Sequence, residues 1–186
     1  MNDVGLGQLV PKGGIRVYIA NRPPLPVYES LNQFEPMMAG DISHIGQETG
    51  NHWRKIFNVY AKLLHGLLIS RQELPSDINS WQQLRDHHLL QGSSQTALLF
   101  SAPALSDVDT PHRQPNIKAN INIIMGKNYA AQLGFERVEG SELIVVDHDF
   151  AICPRRNVIV CPYFDYRQLS NIKILRLIDL INQIWS

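Results

Sequence analysis

At 186 residues, 44% of them hydrophobic and 18% charged, the chain has the size and composition of one soluble globular domain able to bury a substantial core. Its 17 Lys+Arg balance 17 Asp+Glu. This excludes a whole-molecule electrostatic footprint for nucleic acid, so any such binding must come from a local cluster. The opening MNDVGLGQLVPKGG has neither a basic start nor an apolar core, and no segment approaches the ~18 uninterrupted apolar residues of a membrane helix. The expectation is a cytoplasmic protein with no membrane partner. Cys153 and Cys161 flank the turn Pro154-Arg155-Arg156-Asn157, and in an unexported chain they are expected to be reduced thiols.

The first predicted element is a strand over Gly14–Ala20, alternating and β-branched. It ends in Asn21-Arg22-Pro23-Pro24-Leu25-Pro26, whose prolines cannot donate to a ladder and therefore hold an extended loop. Residues 34–50, FEPMMAGDISHIGQETG, are polar and carry glycine, and read as a long ordered surface loop. From Asn51 a helix is predicted, because Trp53, Ile56, Phe57, Tyr60, Leu63, Leu64, Leu67 and Leu68 recur three and four apart. A second, shorter helix spans Ser80–Leu90, with Ser80 or Asn79 as its cap.

Thr96–Phe100 is a short apolar run of the kind found in buried strands, closed by Ser101-Ala102-Pro103. SDVDTPHRQP, 106–115, reads as a loop. Asn120–Met125 is a strand that Gly126-Lys127 turns into a helix over Asn128–Leu133, stopped by Gly134. Two further strands, Glu142–Val146 and Asn157–Val160, are joined through DHDFAICPRR and suit an antiparallel hairpin at one sheet edge. A final helix runs from Asn171 to about Trp185, with only Lys173, Arg176, Asp179 and Gln183 expected to look outward. Strands alternating with helices make a single α/β domain over residues 1–186. The expected architecture is a three-layer α/β/α sandwich around a short, mostly parallel central sheet.

Ligands of open α/β sheets bind outside the carboxyl ends of the strands, which directs attention to the post-strand loops. Gly126-Lys127 at a helix mouth offers N–H groups and a cation to a phosphate, or else a tight turn with an exposed lysine. Asp41, His44, His52 and the Asp147-His148-Asp149 run are candidate metal or acid–base groups, although no zinc spacing supports them and ordinary surface histidines account for them equally. No metal or cofactor is expected. Cys161 is either a nucleophile with a lowered pKa or a buried thiol at a strand end. Tyr163, Phe164 and Tyr166 with Arg167 either stack a planar ring or close the core. Arg155, Arg156, Arg113 and Lys118 are the other basic residues near these loops.

The order of these elements, with IIMGKNYAAQLGF and VIVCPYFDYRQLSN near the end, resembles the uracil-DNA glycosylase superfamily. In that family a strand ending in glycine begins a helix, as Ile123–Ala130 does here, and the final strand delivers a His-Pro-Ser loop before the last helix. Cys161-Pro162-Tyr163 stands at that loop, keeping the proline and lacking the imidazole. Ala20-Asn21-Arg22-Pro23 stands where the family carries its Gly-x-x-Pro type motif, and keeps a proline and an amide. The resemblance implies a glycosylase-like α/β fold in which Asn21 orients a water, Tyr163 stacks on a base and Arg167 holds a phosphate. Arg22, Pro23, Gly126, Lys127, Pro162 and Asp165 line the same mouth on this reading. With the imidazole replaced, the expected function is a non-catalytic module binding DNA, a nucleotide or a protein partner. The alternatives are a base-excision glycosylase with a divergent site and a thiol-dependent hydrolase using Cys161.

Overall fold

The computed structural model of the protein describes residues 3–103, 119–135 and 142–185. Its strands are β1 (Gly5–Gly7), β2 (Ile15–Tyr18), β3 (Phe34–Glu35), β4 (Thr96–Leu99), β5 (Ile121–Met125), β6 (Ile144–Val145), β7 (Ala151–Cys153) and β8 (Val158–Cys161). They form one mixed sheet in the order β3-β1-β4-β2-β5-β8-β7-β6. The central strands β4, β2, β5 and β8 run parallel, whereas β1 joins β4, β7 joins β8 and β6 joins β7 in antiparallel fashion. The helices are α1 (Pro26–Glu29), α2 (Asp41–Thr49), α3 (Asn51–Ser70), α4 (Trp81–His87), α5 (Lys127–Gln132) and α6 (Asn171–Trp185).

Period-two alternation along the central strands sends side chains to both faces, and both faces are covered. Val17, Ile19, Leu98, Ile121, Ile123, Met125 and Ile159 pack with the apolar stripes of α2, α3, α4 and α6. Tyr18, Ala97, Leu99, Ile124, Val158 and Val160 pack on the opposite face with Ala130 of α5 and Phe135. The α3 stripe buries Trp53, Ile56, Phe57, Tyr60, Leu63, Leu64 and Leu67. The Tyr60 hydroxyl lies 3.0 Å from the Ile15 carbonyl and 3.1 Å from that of Ala97, tying α3 to β2 and β4. Ser80 caps α4, its hydroxyl accepting from the Gln83 N–H at 3.2 Å.

Several expectations are corrected. Residues 34–50 form β3 and α2 rather than a loop. Gly40 and Gly50 bound α2 with φ of 97° and 74°, a region that favours glycine, and Ile42 and Ile45 anchor it to the core. The loop of residues 21–25 after β2 is free of helix, and at its end Pro26 opens α1, since a helix's first turn needs no N–H. The sheet is longer than expected: β1 joins one side, and part of the 147–156 connection becomes β7. On α6, Ile172 and Leu175 are exposed at 80% and 62%, in addition to the polar residues expected there.

Both cysteines are free and buried. Antiparallel pairing sets Cys153 opposite Val158, so Cys161 lies three residues further along β8, about 10 Å away at the usual strand rise. No helix among the described residues is long and apolar enough to cross a membrane. The 106–115 loop, Arg113 and Lys118 lie outside the described residues.

Candidate functional site at the carboxyl rim of the parallel strands

The chain leaves β2 for β4 on one side through α1–α4, and leaves β5 for β8 on the other side through α5. The direction of winding therefore changes between β2 and β5, a topological switch point at whose carboxyl ends α/β sheets form a crevice. Asn21 follows β2, Gly126 follows β5, and Pro162-Tyr163 follows β8 beside it.

The rim brings Asn21 and Tyr163 together. The Asn21 side chain sits close enough to the Tyr163 hydroxyl to favour its ionised form. From α3, His52 meets the same hydroxyl, with its Nε2 3.2 Å away. The imidazole also stacks on the phenol, ring centroids 5.7 Å apart and planes inclined by 28°. Burial raises the Tyr163 pKa, and the amide of Asn21 opposes that shift by stabilising the phenolate. The hydroxyl therefore stays protonated at neutral pH, and an amide, an imidazole and a phenol share one partly exposed spot.

Beyond Tyr163 the chain makes a tight turn. Phe164 points inward and meets Tyr60 edge-on at 5.8 Å, fully buried. Asp165 accepts from the Arg167 N–H at 3.0 Å and pairs with Lys55 at 3.0 Å. These contacts hold its carboxyl below the usual carboxylate range, the backbone N–H being the larger cause. Tyr166 is 53% exposed, with the Lys55 ammonium 4.8 Å from its ring centre. The aromatics of this loop thus divide into one core residue and two outward-facing ones. Asp165 is the turn's organiser, and Arg167 contributes through its backbone while its side chain is exposed.

Other predicted site residues have structural duties. Arg22 turns back and its Nη1 donates to the carbonyls of Tyr28, Glu29 and Leu31 at 3.3, 3.1 and 2.7 Å. Its guanidinium carbon also lies 5.5 Å from the Phe100 ring centre. Its Nη1 is therefore committed to the α1 turn instead of a ligand. Pro23 is buried, and its carbonyl accepts from the Leu25 N–H at 2.8 Å. The Gly126 N–H, which a phosphate would need, donates to the Cys161 carbonyl at 2.8 Å. Lys127 next to it is exposed at the start of a six-residue helix. The Cys161 thiol is 1% exposed and lies 3.3 Å from the Pro162 carbonyl. Burial pushes its pKa up, opposite to what a nucleophile needs.

The histidine and carboxylate candidates separate. Asp41 accepts from the Met38 N–H at 2.7 Å, His44 is exposed on α2, and His148 sits 3.5 Å from Asp149. Among the described residues no group of three or more His, Cys, Asp or Glu side chains could hold a metal. Arg155 and Arg156 pair with Glu142 at 3.9 and 3.5 Å. His52 is the member of this set that reaches the rim.

Residues 4–182 match the sequence pattern of a family of unknown function, DUF6942. The chain belongs to that family. No curated protein and no solved structure matches this DUF6942 chain.

Proposed function

We propose that this DUF6942 protein is a binding module for a nucleotide or nucleic acid, holding the planar ring of a base at the carboxyl rim of its parallel strands. The observation that carries the reading is the Tyr163 phenol, stacked on the His52 imidazole with its hydroxyl 3.2 Å from Nε2, beside Asn21 at the switch point. An amide offers both donor and acceptor, an imidazole a second nitrogen, and the phenol a flat apolar face. Such groups match the hydrogen-bonding edge and the π-face of a nucleobase. The four-stranded parallel centre, with helices on both faces, supports a glycosylase-like three-layer fold as its frame. Cys161 is the least suited of the candidate groups to chemistry, because its thiol is buried and protonated.

Ligand-observed saturation-transfer NMR with a panel of bases, nucleosides and nucleotides tests the reading. Transfer to ring protons of at least one base is expected in the wild type and is lost in Asn21→Ala and Tyr163→Ala. Absence of transfer for the whole panel, or transfer undiminished in both variants, removes it.

A second reading, base excision, is favoured by one feature. The β8 loop lacks an imidazole, and α3 brings one, His52, to within 3.2 Å of the Tyr163 hydroxyl on that loop. Asn21 would orient a water toward the anomeric carbon, the N-glycosidic pair would leave with the base, and His52 would stabilise the charge developing on it. Asn21 is no strong base, so the water's proton must pass to solvent or the departing base. Release of uracil, hypoxanthine or mismatched thymine above an Asn21→Ala control supports excision, and equal release excludes it.

A further inference from the structure

The outer face of α3 carries a feature that the rim does not use. Arg54, Lys55 and Lys62 rise along it, and α4 sets Trp81 and Arg85 against them. A groove of about 480 Å³ runs between Trp81 and Tyr166, with these α3 cations along it. It continues, through the shared residues Arg54 and Asn58, into a hollow of about 360 Å³ that ends on Arg85. No carboxylate lines either space among the described residues.

In a chain of zero formal net charge, four cations meet along this groove; Lys55 and Arg85 are offset by Asp165 and Asp86, and Arg54 and Lys62 carry the positive excess. A cleft lined by an excess of one sign focuses the field more strongly than scattered surface charges do. The cations are also preorganised. Lys55 is held by Asp165 at 3.0 Å, Arg85 by Asp86 at 2.7 Å, and the Arg85 Nη1 donates to the Asn58 side-chain Oδ1 at 2.6 Å. Both aromatics are drawn into the same array, with the Lys62 ammonium 5.2 Å from the Trp81 ring centre and the Lys55 ammonium 4.8 Å from that of Tyr166. Lys55 and Lys62 are two turns apart, about 10 Å along the helix axis at 1.5 Å per residue.

We propose that this groove binds the phosphodiester backbone of single-stranded nucleic acid, with bases stacking against Trp81 and Tyr166. Cations spaced along a track suit repeated phosphates, and the half-buried Trp81 ring and the exposed Tyr166 ring beside them suit bases in any sequence. An acidic peptide would satisfy the cations and leave the rings without a partner. The inference takes its ligand class from the rim reading but stands on different residues. Lys55 links the two regions: it pairs with Asp165, two residues after Tyr163, and lies one helical turn beyond His52.

The test is fluorescence anisotropy of a labelled single-stranded oligonucleotide of mixed sequence across a salt series, with poly-glutamate as competitor. The wild type is expected to bind with log K falling linearly in log salt, by roughly 0.7 per phosphate neutralised, hence a slope of about −1.5 to −3. Arg54→Glu with Lys62→Glu should weaken binding at low salt by about tenfold or more and flatten the slope. The milder Arg54→Gln with Lys62→Gln should move both in the same direction by less, with circular dichroism checking that each variant is folded. Trp81→Ala should weaken binding with the slope unchanged. Salt-independent binding, unchanged affinity in a folded charge variant, or displacement by poly-glutamate at equal charge would overturn the proposal. Tyr163→Ala separates the two readings: it should abolish nucleoside binding at the rim while leaving the salt slope of the groove intact.

Discussion

Arg22 is where the structure reassigns a residue that looks like a ligand contact. Arg22→Ala removes a nitrogen with two N–H groups shared among the carbonyls of Tyr28, Glu29 and Leu31. The Leu31 bond, at 2.7 Å and partly buried, is the strongest and contributes about 1.5 kcal/mol as a charge-assisted bond. The other two compete with water and contribute about 0.5 kcal/mol each. Loss of the guanidinium over Phe100 adds about 0.5 kcal/mol. The expected cost is therefore about 3 kcal/mol. With a urea m-value near 2 kcal/mol/M, the midpoint should fall by about 1.5 M, and Tm by roughly 6–12 °C. Urea unfolding followed by circular dichroism reads both quantities, and nucleoside binding per folded molecule should stay at the wild-type level. A variant as stable as the wild type within about 0.5 kcal/mol, but with lost binding, would show that Arg22 contacts ligand and that its role in the α1 turn is secondary.

Cys161 should resist iodoacetamide for hours at neutral pH and react once urea is added; labelling within minutes in the folded protein would contradict its burial. Asp165 has a folded pKa below its ordinary 3.8, so the stability it contributes is fully present above that value and is lost as pH falls through the lower folded one. Asp165→Asn should accordingly lower the urea midpoint near neutral pH and flatten its decline below about pH 4; parallel acid limbs in the two proteins would refute the coupling. Gly7→Ala should destabilise by more than about 3 kcal/mol, because a Cβ there overlaps the Thr96 carbonyl and φ is 108°; a Tm within about 2 °C of wild type would be incompatible with β1 packing on β4.

The central frame was readable because its residues are locally consistent. Ile15–Tyr18, Ile121–Met125 and Val158–Cys161 are β-branched runs buried on both faces, and the α3 stripe repeats at helical spacing. Elements chosen by their neighbours escaped notice. β1 is Gly-Leu-Gly because the β4 backbone approaches too closely for side chains at Gly5 and Gly7, and no β-pattern survives that substitution. α2 commits only Ile42 and Ile45 to the core, too few to show a period against its polar remainder.

At the site, the sequence directs attention to the post-strand loops, but the contacts within them are tertiary. His52 lies 111 residues from Tyr163 and was grouped with loop histidines instead. A local signal did exist, since His52 and Lys55 share one face of a helix that begins at Asn51. Arg22 and Gly126 carry the right chemistry for a ligand, yet the Arg22 Nη1 and the Gly126 N–H donate to the chain's own carbonyls. Only an accounting of hydrogen bonds in three dimensions distinguishes those cases.

The most direct test of the account is to titrate the isotope-labelled protein with the nucleoside that gives the strongest saturation transfer and follow its two-dimensional NMR spectra. The account predicts shifts concentrated on the Asn21 side-chain amide, the His52 imidazole and the Tyr163 ring, all saturating with one dissociation constant. Saturable shifts that leave these three groups unmoved would contradict it.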